Sequence, residues 1–353
     1  MFVVTFSFMP AARAAENARP ERSPGLFGAP VAGPAPERLR FLDTAWGLLV
    51  LVMVFAGATA ALSGGSIEPS WPARVSRFAA AFGAPAFFML AGLLLKGALE
   101  ATWPAYLSRN VAPLAWRAAL FTIVGALLVA GLGGYDISPL LRPRALAEAL
   151  VDPPTMILLI EQLALCLLFM RLTRGLRAAL VLPVLMALEI AQPDLGGPLF
   201  SGACRLLVYL YVGHIFAPEI RQLAKFVGRD HKAAGIGLVT WAAINIVATS
   251  VSLPLAGGPT MASLPFASLG LGLFGATAAI ALAALIDSLA DPALLRWIGA
   301  RALGAWFGYF LMIEAWRALE PRMPARASLA ILLLAIASGV VLAIGMARRA
   351  RAA

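Results

Sequence analysis

Charged residues are scarce in this chain of 353 residues, because Asp, Glu, Lys and Arg together make up only 13% of it. An ordinary soluble domain carries about 25% charged residues. Hydrophobic residues account for 61% of the chain, and the mean hydropathy is +0.86. The composition therefore excludes a water-soluble protein and predicts an integral membrane protein.

Cysteine and histidine are nearly absent, with two residues of each. Cys166 and Cys204 lie within apolar blocks without the spacing of metal ligands, so apolar packing is expected for both and no metal site is predicted. His214 lies near the end of an apolar block, where a capping or interfacial role is commoner than general-base catalysis. His231 lies in a basic loop, where a solvated side chain is expected.

The apolar residues fall into blocks of about 17 to 25 residues, the length that a helix needs to cross about 30 Å of hydrocarbon. The fifth block is short enough to be a tilted or re-entrant helix. Breaks are expected at Pro85 in the second block and at Pro265 in the eighth. The chain is predicted to be all-α, with about ten transmembrane helices at 41–62, 77–99, 114–133, 154–171, 178–192, 199–217, 234–254, 262–287, 302–316 and 327–347.

Lysine and arginine are distributed unevenly between alternate loops, and positive loops stay in the cytoplasm. If the N-terminus is in the cytoplasm, the loops with more lysine and arginine also lie there, including the loop with Lys96 and Arg109. Both termini are therefore predicted to be cytoplasmic, in a multi-pass protein of the inner (plasma) membrane. The net charge of +10 fits loops held against an anionic leaflet, so no nucleic-acid partner is expected.

The chain divides into two parts by composition. Residues 1–40 are rich in Pro, Ala and Arg, cannot bury a core, and are predicted to be a disordered cytoplasmic tail. The apolar start of this tail lacks a preceding basic region, which disfavours a cleaved signal peptide. Residues 41–348 are predicted to form one transmembrane domain.

Ionisable residues within the predicted spans are the best pointers to function, because each costs about 2.5 to 3.5 kcal/mol at a helix centre unless it has a partner. An ion pair between Glu161 and Arg205, facing an internal cavity, is the pairing that we expect. Such a pair fits a reaction site or a structural lock equally well. Glu189 and Glu314 lie close to span ends, so solvated rim positions are expected for both.

Four segments follow one another in order between residues 38 and 316. They are Leu42-Asp43 with Trp46-Gly47, then Pro85 to Gly92 with Phe87-Phe88, then Arg205 to Gly213, and finally Leu294 to Gly299 with Tyr309-Phe310-Leu311. This ordered set resembles the signature segments of the acyltransferase 3 family, whose relatives include glucan-succinylating and heparan-acetylating membrane enzymes.

Three positions depart from the family pattern. Trp46 stands where the family has Arg, Gly57 where its first-helix His is found, and Met312 where its late His is found. That first His is the family's general base for the acceptor hydroxyl, and glycine cannot take a proton. Either another group replaces it or the chain does not catalyse the usual reaction.

The resemblance implies an O-acyltransferase that moves an acetyl or succinyl group from a cytoplasmic acyl-CoA donor to a sugar or lipid hydroxyl of the cell envelope. Glu161 would replace the missing base, and Arg205 would stabilise a phosphate or a developing oxyanion. Lys96 and Arg109 would bind the phosphates of the donor. The remaining cavity or motif residues are Asp43, Trp46, Phe88 and Tyr309.

Two alternatives remain open from the sequence. The first is a catalytically inactive relative that serves as a carrier or as a subunit of a membrane complex, with a membrane-protein partner or as a homo-oligomer. The second is a secondary transporter. The expected partners are membrane lipid and, for the acyltransferase, a glycan or lipid acceptor. An indole at Trp46 that fills the core would favour the inactive relative.

Overall fold

The structure of the chain, a computed structural model, describes residues 40–62, 71–95, 97–132, 155–194, 197–251 and 260–319. Every element in these ranges is helical, as predicted. These elements include a π-helical turn, Leu107–Val111, and a 3₁₀ turn, Met261–Ser263. The α-helices are α1 Arg40–Leu62, α2 Trp71–Ala80, α3 Gly83–Leu93, α4 Trp103–Tyr106, α5 Ala112–Gly131, α6 Thr155–Thr173, α7 Ala178–Ala191, α8 Pro198–Ile215, α9 Ala217–Val227, α10 His231–Ser250, α11 Pro265–Leu289, α12 Ala293–Gly299 and α13 Ala302–Leu319.

Six stretches of the described chain are long and apolar enough to cross a membrane, which makes the chain a multi-pass membrane protein. They are Arg40–Ala58, Ala73–Leu93, Trp103–Leu128, Pro198–Ile215, His231–Ser250 and Pro265–Leu289. Helices α6, α7 and α13 cover the fourth, fifth and ninth predicted spans, and α7 is short, as expected. The tenth predicted span, 327–347, and the predicted tail before residue 40 lie outside the described residues.

The second span is broken, although not at the predicted proline. Pro85 is the third residue of α3, where a missing N–H removes no helical hydrogen bond. The break lies between α2 and α3, and it frees the carbonyl of Phe78. The buried side chain of Asn245 on α10 donates to that carbonyl at 3.1 Å, so a neighbouring helix satisfies the freed backbone group.

The expected break at Pro265 is wrong. Pro265 is the first residue of α11, a position at which the proline ring fits helical geometry and no hydrogen bond is lost. The eighth span is therefore one continuous helix of 25 residues.

Helix α3 lies at the centre of the bundle. Ten of its 11 residues are buried, and it packs against α1, α8 and α11. Its sequence, Gly83-Ala-Pro-Ala-Phe-Phe-Met-Leu-Ala-Gly-Leu93, is apolar on every side, which is the pattern of a helix enclosed by other helices.

Helices α6 and α8 pack closely through small residues, as membrane helices commonly do. A Cβ atom on Gly202 would lie 1.9 Å from Nε2 of Gln162, and that nitrogen donates to the carbonyl of Pro198 at 3.0 Å. One turn along α6, the thiol of Cys166 contacts the carbonyl of Ala203 at 3.4 Å. These contacts hold α6 against the first turns of α8.

Candidate functional site

The first and last of the four family-like segments lie against each other. A Cβ atom on Gly47 would lie 2.0 Å from the carbonyl oxygen of Leu295, and one on Gly299 would lie 1.8 Å from that of Asp43. Only glycine at both positions lets the backbones of α1 and α12 approach so closely. Asp43 itself is half-buried in the first turn of α1, where the helix dipole favours a negative charge.

The second and third segments form a similar pair. A Cβ atom on Gly92 of α3 would lie 2.2 Å from the carbonyl oxygen of Leu210 of α8. In return, a Cβ atom on Gly213 would lie 2.1 Å from the carbonyl oxygen of Met89. The glycines of all four segments thus have a packing role, and segments that are far apart in sequence meet in two pairs.

An aromatic cluster joins these pairs across the bundle. The ring of Trp46 lies edge-on to Phe87 at 5.1 Å between centroids, and Phe87 lies 5.8 Å from Phe88 and 6.4 Å from Trp306. Trp306 in turn lies 6.2 Å from Tyr309. Trp46, Phe88 and Tyr309, which were named as cavity or motif residues, are buried in this packed core.

The predicted ion pair between Glu161 and Arg205 is not formed. No N···O distance between their side chains falls within 4.0 Å in the part of the chain that the structure covers. Glu161 is half-buried on α6, and its Oε2 is buried without a hydrogen-bond partner among the described residues. Arg205 is exposed on α8, and its charge acts on Glu189 instead.

Glu189 is buried, with only 2% of its surface exposed, so the expected solvated rim position is wrong. Its Oε1 accepts hydrogen bonds from the hydroxyls of Ser268 at 2.9 Å and Tyr209 at 3.3 Å. Its Oε2 is also buried, and no described residue donates to it. We call Glu189, Tyr209, Ser268 and the adjacent Arg205 the Glu189 cluster.

The cluster lies at the end of the bundle where α7 ends and where α8 and α11 begin. Tyr209 reaches it because Gly272, one turn after Ser268, leaves room for the phenol ring. A Cβ atom on Gly272 would lie 2.4 Å from the Tyr209 hydroxyl. Arg205 lies one helical turn before Tyr209 on α8 and close enough to Glu189 to interact with it electrostatically.

This arrangement combines a carboxylate that can take a proton with a guanidinium that can stabilise a developing negative charge. Electrostatic effects are stronger away from water than in it, and Glu189 is the buried member of the two. One oxygen of Glu189 is held by two hydroxyls, which orients the carboxylate, and the other oxygen has no donor among the described residues. The cluster therefore has the groups needed to activate a hydroxyl.

A second polar region lies at the opposite end of the bundle. A groove of about 650 Å³ there is lined by Arg40, residues 287–291 and Arg296. Arg296 pairs with Asp291 and, at 3.0 Å, with Asp287, and the hydroxyl of Thr44 also donates to Asp287 at 3.0 Å. These bonds tie α1, α11 and α12 together, so a structural role accounts for them.

Of the two residues expected to bind the donor, Lys96 lies outside the described residues. Arg109 is exposed, but it belongs to the π-helical turn before α5 and not to a loop. His231 is exposed, as expected for a solvated side chain, and its Nε2 lies 3.2 Å from the hydroxyl of Ser288. His214 on α8 and Glu314 on α13 are both half-buried.

The described residues contain no group of three or more His, Cys, Asp or Glu side chains arranged to hold a metal ion. Cys166 and Cys204 form no disulfide. Cys166 is fully buried against α8, in agreement with the packing role expected for it, and Cys204 is half-buried.

Comparisons of the chain with protein-family models, with curated proteins and with solved structures find no match.

The sequence gives no signal for the burial of Glu189, because every other residue of α7 is apolar. Val181, Leu185 and Glu189 are the buried residues of α7, and their spacing of four residues places them on one helix face. The closeness of Glu189 to the span end suggested a rim position, and only the packing of the bundle shows which face of α7 is buried. Ser268 has no sequence signal either, because a serine in an apolar helix commonly bonds its own backbone.

Proposed function

We propose that the protein is a membrane O-acyltransferase in which the Glu189 cluster is the reaction site. The donor is an acyl thioester such as acetyl-CoA or succinyl-CoA, delivered from the cytoplasmic side of the inner membrane. The acceptor is a hydroxyl of a cell-envelope sugar or lipid. Support comes from the pairwise meeting of the four acyltransferase 3-like segments and from the buried carboxylate of Glu189.

The reaction would be a direct transfer. The acceptor hydroxyl donates its proton to Oε2 of Glu189 while its oxygen attacks the thioester carbonyl. The carbon–sulfur bond then breaks, the thiolate takes the proton, and an ester and a free thiol are formed. Arg205 would stabilise the negative charge that develops on the carbonyl oxygen. In this scheme Glu189 replaces the histidine that the family has at the position of Gly57.

The proposal rests on the hydrogen bonding of the Glu189 carboxylate. Its Oε1 is oriented by Ser268 and Tyr209, and its Oε2 has no donor among the described residues. A buried oxygen without a donor is unfavourable by about 1 to 3 kcal/mol. A substrate hydroxyl that entered the cluster would supply the missing donor.

The proposal is tested by measuring acyl transfer from radiolabelled acetyl-CoA and succinyl-CoA to glycans and lipids of membrane vesicles. The variants are Glu189→Gln, Arg205→Ala and Glu161→Gln. Glu219→Gln is the matched control, because Glu219 is an exposed carboxylate on α9. Loss of transfer by a factor of about 100 or more in Glu189→Gln, with Glu219→Gln unchanged, is the expected result.

The other outcomes separate the candidates. If Glu161→Gln loses acyl transfer and Glu189→Gln retains it, the general base is Glu161 on α6 and not Glu189. Absence of transfer by the folded wild-type protein with both donors would overturn catalysis altogether.

A second candidate function has its own support. Trp46 packs against Phe87 in the bundle core, in the segment where the resembling enzymes carry an arginine and a histidine. A core closed by aromatic rings suits a non-catalytic relative that acts as a carrier or as a subunit of a membrane complex. Trp46→Arg tests this candidate, since gain of transfer would show that the indole blocks the reaction.

A further inference from the structure

Three arginines converge on one turn between α3 and α4, formed by residues 93–95 and 97–102. Arg171 of α6 donates to the carbonyls of Leu99 and Ala101. Arg174 donates to the same Leu99 carbonyl at 2.9 Å, and Arg221 of α9 donates to the carbonyl of Leu93 at 3.5 Å. We call this group the arginine-bound turn.

The positive charge of this turn is not balanced by acidic side chains. Within the described ranges none of the three arginines forms an ion pair, and Glu100 of the same turn is exposed and does not pair with them. Arg171 is only 4% exposed, and the Nε atoms of Arg171 and Arg221 are buried without an acceptor there. Carbonyl dipoles compensate a buried cation only in part, so an anion is expected at this place.

The surroundings of the turn are those of a lipid headgroup region. Trp103 is 41% exposed, and its ring lies 5.3 Å from the guanidinium carbon of Arg171. On α6 and just after it, Leu172 and Leu176 are 66% and 58% exposed beside Arg174. Exposed tryptophan and leucine next to arginine are typical of the boundary between hydrocarbon and headgroups.

We propose that the arginine-bound turn binds the phosphate group of an anionic phospholipid, with Arg174 and Arg221 contacting the phosphate and Arg171 holding the turn in place. Arg174 is exposed and Arg221 is half-buried, so both can reach a headgroup. Guanidinium groups are well matched to phosphate oxygens in charge and in geometry. This site lies apart from the Glu189 cluster and does not depend on the proposed acyl transfer.

The test measures lipid binding to the purified full-length protein in detergent, by native mass spectrometry with added phosphatidylglycerol or phosphatidylcholine. The variants are Arg174→Gln and Arg221→Gln, singly and together. Arg177→Gln is the matched control, because Arg177 is an exposed arginine at the same end of the bundle and its side chain makes no hydrogen bond with the described residues. Arg171 is not substituted, because it is buried and misfolding of its variant would also abolish lipid binding.

We expect the wild-type protein to retain phosphatidylglycerol in preference to phosphatidylcholine. Each single variant should weaken that binding about fivefold, and the double variant more, with Arg177→Gln unchanged. Equal binding of the two lipids, or equal weakening by Arg177→Gln, would overturn the site. Competition by millimolar inorganic phosphate as effective as that by phosphatidylglycerol would overturn the lipid as its ligand.

Discussion

At the scale of single residues, burial of Glu189 is the feature with the largest consequence. A carboxylate in a membrane helix is unfavourable unless it has hydrogen-bond donors, and here Ser268 and Tyr209 both donate to the same oxygen. The sequence identified Glu189 as an ionisable residue within a span but placed it at the rim. Its pairing with Ser268, 79 residues away, could not be read from spacing along the chain.

The hydrogen bond between Ser268 and Glu189 should be measurable as an interaction energy. Ser268→Ala is expected to lower the free energy of unfolding by about 0.6 to 1.7 kcal/mol, between the average and the largest value measured for hydrogen bonds between membrane helices. In a Glu189→Met background the same change should have almost no effect, because the acceptor is gone. The measurement is SDS-induced unfolding of the purified protein.

Thr277→Ala is the control for that cycle, because among the described residues the Thr277 hydroxyl bonds only carbonyls of its own helix, those of Leu273 and Phe274. Its effect should be the same in the wild-type and the Glu189→Met backgrounds. If Ser268→Ala lowers the free energy of unfolding by the same amount in the Glu189→Met background, the assigned hydrogen bond is contradicted.

At the scale of helices, glycine positions decide which helices touch. Gly47 and Gly299 bring α1 and α12 into backbone contact, and Gly92 and Gly213 do the same for α3 and α8. The sequence showed these glycines as parts of four separate segments. It did not show that the first segment pairs with the fourth and the second with the third, because pairing depends on the direction that each helix face takes in the bundle.

The contact between α1 and α12 predicts a large effect from one added methyl group. Gly299→Ala should destabilise the protein by about 1 to 3 kcal/mol, because the new Cβ atom meets the carbonyl of Asp43 and the backbones must separate. Thermal unfolding in detergent measures this loss. Gly235→Ala on α10, where no described residue lies within 4 Å of the added atom, should cause no loss. Equal stability of Gly299→Ala and wild type would contradict the close approach.

At the scale of the whole molecule, the positive-inside pattern predicts the orientation of the bundle. Arg229 and Met261 lie near opposite ends of α10 and are both exposed. Arg229 belongs to a basic stretch with Lys225 and Lys232, so that end should face the cytoplasm.

Single cysteines introduced into a variant without Cys166 and Cys204 test the orientation. A membrane-impermeant maleimide should label Met261→Cys on intact cells, and it should label Arg229→Cys only after the membrane is permeabilised. The reverse pattern would place the basic end of α10 outside and would invert the predicted topology.

The sequence by itself determined that the chain lies in a membrane, that it is helical, and where most helices run, because hydropathy and helix length are properties of each segment alone. The tertiary structure decided that Glu189, and not Glu161, meets hydroxyl groups near Arg205. It also decided that Trp46 packs into the core and that the second span breaks before Pro85. These features depend on helix rotation and on close contacts between distant segments, which the packing of the bundle sets.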